Sequence, residues 1–189
     1  MMATNCYLFG DDKTKQIVII DPGGEPTAIT RRIERKGYDP IAIVLTHGHP
    51  DHTGSAKYMK LQYEIPVLYN EKDRKMIKID ADRYIKEPDV IEVGSEKLHV
   101  LDAPGHSPGG IMLASYENKI MITGDTIFMG SIGRTDIGGN FQQLMNTIRI
   151  KIMENDRVTD DFELYPGHGD DTTVRYEKTN NMFSEHFLG

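Results

Sequence analysis

Cysteine is almost absent from this chain, with Cys6 the single one among 189 residues. A lone thiol excludes an intramolecular disulfide framework. With no signal-peptide pattern at the start, it points to a reducing, cytoplasmic setting. Tryptophan is missing altogether. Apolar runs such as "IAIVL" (41–45) fall far short of the roughly 20 residues that span a bilayer, so no membrane partner is expected. Positive charge is scarce as well: 22 Lys and Arg against 29 Asp and Glu leave a formal net charge of −7. Proteins that track phosphate backbones present basic faces, so no nucleic-acid partner is expected either. Solenoid-length repeats, low-complexity tracts, Gly/Ser-rich linkers and a Walker A sequence are all lacking, and "DPGGEP" (21–26) lacks the spacing of a dinucleotide fingerprint.

The residues present describe one well-cored globular unit, read as a single domain over residues 1–189. Apolar runs at Gln16–Ile20, Ile41–Leu45, Leu98–Leu101, Ile111–Ala114, Ile120–Thr123 and Phe162–Tyr165 predict strands. Ala28, Ile29 and Ile33 mark one amphipathic helix, which Gly37 ends, and Phe141, Leu144, Met145 and Ile148 mark another. Strands apolar on both faces need cover on both sides, which gives sheets between helices. The charged run "EKDRKMIK" (71–78) reads as a solvated helix face.

The informative residues lie just past the strands. "QIVII" runs into Asp21, "IAIVL" into Thr46 and His47, "LHVLDAPG" delivers His106, "IMIT" delivers Asp125 and "FELYPG" delivers His168. Between them, "THGHPDHTG" (46–54) packs three of the chain's seven histidines into six residues. Pro-Gly-His occurs twice, at 104–106 and 166–168. Strand ends along one edge of a sandwich can bring such side chains to one point while the sheets hold them rigid, as a metal site requires. The candidate ligands are His47, His49, Asp51, His52, His106, Asp125 and His168. Imidazole and carboxylate suit zinc first, with iron or manganese accommodated by the same donors, and the absence of cysteine ligands argues against a closed structural zinc site. Five histidines and two aspartates exceed the needs of one four-coordinate ion, whereas two divalent ions sharing a carboxylate would use them all. Histidines that only cap strand ends are the bland alternative, which this spacing disfavours.

"THGHPDH" resembles the T-H-x-H-x-D-H signature of the metallo-β-lactamase superfamily, and Asp21, His106, Asp125 and His168 follow the order of its remaining motifs. The resemblance covers nearly the whole chain and implies a four-layer αββα sandwich, an α/β fold with two mixed sheets face to face. It implies that His47, His49 and His106 hold a first metal, that Asp51, His52 and His168 hold a second, and that Asp125 bridges. Asp51 and Asp125 are thereby the catalytic carboxylates, and Asp21 supports the ligands from behind. "GSIGRTD" (130–136) and "YPGHGDDTTVRYEKTN" (165–180) are similar to short bacterial glyoxalase II, the hydroxyacylglutathione hydrolases. The helical C-terminal domain of full-length glyoxalase II and its glutathione-binding residues are not matched. Relatives carry an extra strand before "MMATNCYLFG", so a trimmed start is expected.

The activity so implied is hydrolysis of a small-molecule acyl thioester: two cations sharing a water bring its pKa near neutrality, and the thiolate leaves without a strong acid. Alternatives are an Fe(II) persulfide dioxygenase of the same fold using His47, His106 and Asp125, a lactone or β-lactam hydrolase, and a metal-binding protein without turnover. Arg134 has the fork to meet a substrate carboxylate, although bracing its own loop through Asp136 is the favoured reading. "GHSPG" (105–109) fits the serine-hydrolase elbow, but Pro108 follows the serine and has no N–H to donate, so Ser107 is read as a turn residue. Tyr165, His99 and His186 are assigned to packing or surface.

Overall fold

The structure, a computed structural model, describes residues 3–188. Strands β1 (Tyr7–Gly10), β2 (Gln16–Ile20), β3 (Asp39–Val44), β4 (Val67–Tyr69) and β5 (Arg83–Tyr84) form one sheet in that order. Only its β1–β2 pair is antiparallel. Strands β6 (Val90–Val93), β7 (Glu96–Asp102), β8 (Ile111–Ser115) and β9 (Ile120–Gly124) run as an antiparallel meander in the second sheet. A small hairpin, β10 (Ile127–Phe128) with β11 (Ser131–Ile132), intervenes in the chain. Strand β12 (Glu163–Pro166) then lies parallel to β9, and β13 (Thr172–Thr173) closes that edge. Helices α1 (Pro26–Lys36), α2 (Pro50–Thr53) and α3 (Ala56–Tyr63) follow the first strands; α4 (Phe141–Ile148), α5 (Val174–Asn180) and α6 (Ser184–Phe187) follow the later ones.

Strand alternation sorts the apolar residues into three layers. In β2, Val18 and Ile20 face between the sheets while Ile17 and Ile19 face outward; in β3 the same split separates Ala42 and Val44 from Ile43. The inner layer is completed by Val100, Ile111, Leu113 and Ile122 of the second sheet. Ile33 of α1 with Ala56 and Met59 of α3 cover the outer face of the first sheet. Leu144, Met145 and Ile148 of α4, with Val174 and Phe187, cover that of the second. The result is the expected αββα order, because each strand must bury both of its faces. Gly37 ends α1 in the left-handed region at φ 64°, which a residue without Cβ adopts freely. Among the described residues no helix is long and apolar enough to cross a membrane.

One expectation is overturned. The run 71–78 is not a helix with a solvated face: only Glu71–Asp73 form a single tight turn, and Asp73 is buried. Its carboxylate accepts hydrogen bonds from Gly48 N (2.8 Å), Ser107 Oγ (2.8 Å) and Gly109 N (2.6 Å). Three donors offset the cost of burying the charge, and meeting them fixes the segment as a turn rather than a helix.

Candidate metal centre

Strands β2, β3, β7, β9 and β12 deliver Asp21, His47, His106, Asp125 and His168 to one edge of the sandwich, and α2, opened by Pro50, adds Asp51 and His52. Three groups of donor atoms lie mutually within 4.8 Å: His47 with His49 and His106, Asp51 with His52 and His168, and Asp21 with His47 and His52. Asp125 sits between the first two groups. Its Oδ2 is 3.9 Å from His47 Nε2, 3.4 Å from His106 Nε2 and 3.5 Å from His168 Nε2, while Oδ1 is 3.2 Å from His52 Nε2. Asp51 Oδ2 lies 3.3 Å from His168 Nε2 and 3.9 Å from His52 Nε2.

The backs of the imidazoles settle their tautomers. His52 Nδ1 donates to Asp21 Oδ2 (2.8 Å), His106 Nδ1 to the Arg134 carbonyl (2.7 Å) and His168 Nδ1 to the Ala3 carbonyl (3.0 Å). His47 Nδ1 lies 3.1 Å from Thr46 Oγ1, which in turn donates to Asp21 Oδ2. With each Nδ1 carrying its proton outward, the four Nε2 lone pairs point inward. His49 turns its Nδ1 to His106 Nε2 at 2.8 Å. The Nε2 atoms of His52 and His168 face each other at 3.4 Å, an arrangement that repels unless a cation or proton lies nearby. His47 Nε2 and Asp125 Oδ1 are buried without any hydrogen-bond partner. Orphaned buried acceptors on an inward-facing ring of donors fit divalent cations.

Charge is distributed to match. Burial, reinforced by His52, lowers the pKa of His47 well below the ordinary imidazole value, keeping it neutral. Burial also lowers that of His49. For His52 burial acts the same way, but Asp21 and Asp125 outweigh it and raise the pKa to about 10. Asp125 feels burial pushing its pKa up, yet the His168 and His52 imidazoles close by hold it far below the carboxylate range. Neutral His47 and His49 beside an ionised Asp125 are donors for which protons and metal ions compete.

Several supports have no signature in the sequence. Asp73 ties the loop of His47 and His49 to the loop of His106 through its three donors. Thr46, which does belong to the quoted signature, relays Asp21 to His47. The segment before β1 straps the His168 turn: Asn5 Nδ2 donates to the Pro166 and Gly169 carbonyls (3.0 and 2.9 Å), Tyr7 Oη donates to Pro166 O (2.6 Å), and Thr4 Oγ1 reaches Asp51 Oδ2 (3.3 Å). Gly167 allows that turn to pass the site, since a Cβ there would collide with Asp125 Oδ1 and His52 Cε1. Only the "PGH" repeat hints at it. Asp21 lies against Thr46 and the back of His52, buried at φ 51°, a left-handed conformation that aspartate tolerates better than most residues.

Arg134 and Asp136 form a bidentate pair at 2.8 and 2.7 Å, as the loop-bracing reading expects. Ser107, its hydroxyl bound to Asp73, is a turn residue. Tyr165 packs edge-on against Tyr7, His99 against Tyr116 and His186 against Phe141. None of these three lines the cavity of about 780 Å³ above the site, whose floor is His49, Asp51, His106, Asp125 and His168. That volume suits a small-molecule ligand.

Comparison with known proteins agrees with this geometry. Residues 2–169 match the profile of the Metallo-beta-lactamase superfamily. The chain belongs to that superfamily. Among members of the metallo-β-lactamase superfamily, it is 36% identical to the hydroxyacylglutathione hydrolase GloC of Haemophilus influenzae, covering 95% of this chain and 92% of GloC. The crystal structure of the BLEG-1 B3 metallo-beta-lactamase superposes with a TM-score of 0.89 at 30% identity, covering 96% and 94% of the two chains. TTHA1623 in a di-iron-bound form superposes at 0.84 with 28% identity, covering 95% and 94%. The chain is therefore a metallo-β-lactamase-fold hydrolase whose His/Asp clusters suit a dinuclear metal site.

Proposed function

We propose that this protein hydrolyses acyl thioesters of the hydroxyacylglutathione type, with two divalent metal ions, zinc foremost, as its cofactor. One observation carries the reading: imidazole lone pairs and two orphaned acceptors converge around Asp125 at the floor of an open cavity. The relationship to GloC supports the thioester class. His47, His49 and His106 would hold one ion and Asp51, His52 and His168 the other, with Asp125 between them. Bound there, two such ions supply Lewis acidity and a water ionised near neutral pH.

The chain's own residues prepare that chemistry. Asp21, Thr46 and the carbonyls of Arg134 and Ala3 hold the Nδ1 protons outward, so the Nε2 lone pairs stay available. Neither Cys6 nor Ser107 competes as nucleophile. Burial raises the Cys6 thiol to about 12, so it is not ionised at neutral pH. The Ser107 hydroxyl is committed to Asp73. A thiolate leaves without a protonated general acid, and Asp125 at the cavity floor is ionised.

A second reading is an Fe(II) persulfide dioxygenase, for which His47, His106 and Asp125 would make the two-His-one-carboxylate set; the iron of the TTHA1623 structure supports that choice of metal only. A panel run on anaerobically purified, metal-analysed protein separates the two. Release of free thiol from S-D-lactoylglutathione, at a high KM, is the expected result. Oxygen consumption with glutathione persulfide and no thioester cleavage would assign the protein to the dioxygenases, and cleavage of a β-lactam alone would move it to the lactamases.

A further inference from the structure

The wall of the cavity opposes its floor in character. The hairpin of β10 and β11 stands beside His168, with the Phe128 ring 5.9 Å from the His168 ring. Phe128, Met129, Ile132 and Ile137 line this side of the cavity. Met129 at the hairpin tip is 46% exposed and Ile137 is 58% exposed, large apolar side chains left in water beside a reactive site. Exposed apolar surface next to a polar centre marks where a ligand is covered. With Asp51 and Asp125 on the floor given to the metal ions, the carboxylate left around the same cavity is Asp170. The arginine that lines it, Arg134, is paired with the Asp136 carboxylate through Nε and Nη2.

We infer that the non-reacting arm of the substrate is uncharged and apolar and lies on the wall of Phe128, Met129, Ile132 and Ile137. This deepens, and rests on, the thioester reading: the preferred thiol carrier or acyl chain is a neutral one, and glutathione is a poor fit. Glutathione carries two carboxylates and one ammonium, and the wall gives those carboxylates no free cation. A neutral arm loses nothing by leaving water here, and each methylene it buries adds affinity.

The test is a binding measurement that needs no turnover. Non-hydrolysable S-alkyl thioethers of N-acetylcysteamine and of glutathione are titrated calorimetrically into the zinc-loaded protein. The neutral series should bind at least tenfold tighter at equal alkyl length. Its affinity should rise about threefold per methylene, somewhat below the roughly fourfold of complete burial. Met129→Asp and Ile137→Asp, both at exposed positions and so compatible with folding, should flatten that slope. Asp136→Asn, which releases Arg134, should narrow the gap between the two series. The inference is overturned by glutathione thioethers binding as tightly as neutral ones. It is equally overturned by a chain-length slope that survives both aspartate variants, or by a gap that Asp136→Asn leaves unchanged. Turnover of the matching thioesters is scored separately: if none is cleaved while the binding pattern holds, the thioesterase reading falls and the apolar wall stands.

Discussion

At the scale of single residues, Asp125 and Ser107 make opposite predictions. Asp125 reaches Nε2 of four histidines, so Asp125→Ala removes the one negative group between both donor clusters. Two cations held close together would then repel without compensation. Activity is expected to vanish and metal content to drop. Ser107→Ala removes one of three donors to Asp73 and leaves the two backbone N–H groups in place, so most activity should remain, at a cost of about 1 kcal/mol in stability. Steady-state kinetics with elemental analysis reads both, and the reverse ranking would exclude the metal-centred account. Asp73→Asn is predicted to be worse than Ser107→Ala. An amide offers one acceptor where three donors converge, at a cost of about 1–3 kcal/mol, and the loops it ties carry His47, His49 and His106. The variant should therefore lose the ion of that cluster first, giving near-single occupancy while His52 and His168 still bind. Equal loss of both ions would show that Asp73 supports the fold only.

At the scale of elements, the centre is made of turns at strand ends, and this governs how much of it is legible in the sequence. The strands β2, β3, β8 and β9 are readable because both faces are buried and the apolar run is unbroken. A residue just past a strand on a fixed sheet edge is placed by the sheet, so the sequence alone can bring Asp21, His47, His106, Asp125 and His168 together. Short elements carry no such signal: β4, β5, β10 and β11 have two or three residues each, too few to show an alternation. Asp73 is illegible because a buried carboxylate and a solvated one look the same in a charged run. Asn5 and Tyr7 are equally silent, since they act on the carbonyls of 166 and 169 across the whole chain. The turn at 166–168 passes hard against the donor groups. Gly167→Ala should push Asp125 and His52 apart and sharply reduce metal affinity while the core, lying elsewhere, keeps the protein folded. Chelator competition against circular dichroism checks this; unchanged metal affinity would contradict the packing described.

At the scale of the whole molecule, the metal centre is where the two sheets, their loops and the first residues meet, so its charge state bears on global stability. In the metal-free protein His52 rises from 6.5 to about 10, outweighing burial through Asp21 and Asp125. A raised folded-state pKa stabilises fully below the unfolded value and is lost as pH climbs through the folded one. The metal-free form should therefore lose stability between roughly pH 6.5 and 10, and metal loading should cancel that loss by taking the proton's place. Melting temperatures against pH, with and without chelator, measure it; parallel profiles would contradict it. The central claim is that His47, His49, Asp51, His52, His106, Asp125 and His168 act as one dinuclear cradle. The most direct test is the metal content of metal-replete protein, combined with a crystal structure of that form. About two ions per chain, one on each side of Asp125, is the predicted result. A single ion, with Asp51 and His52 unliganded, would contradict it.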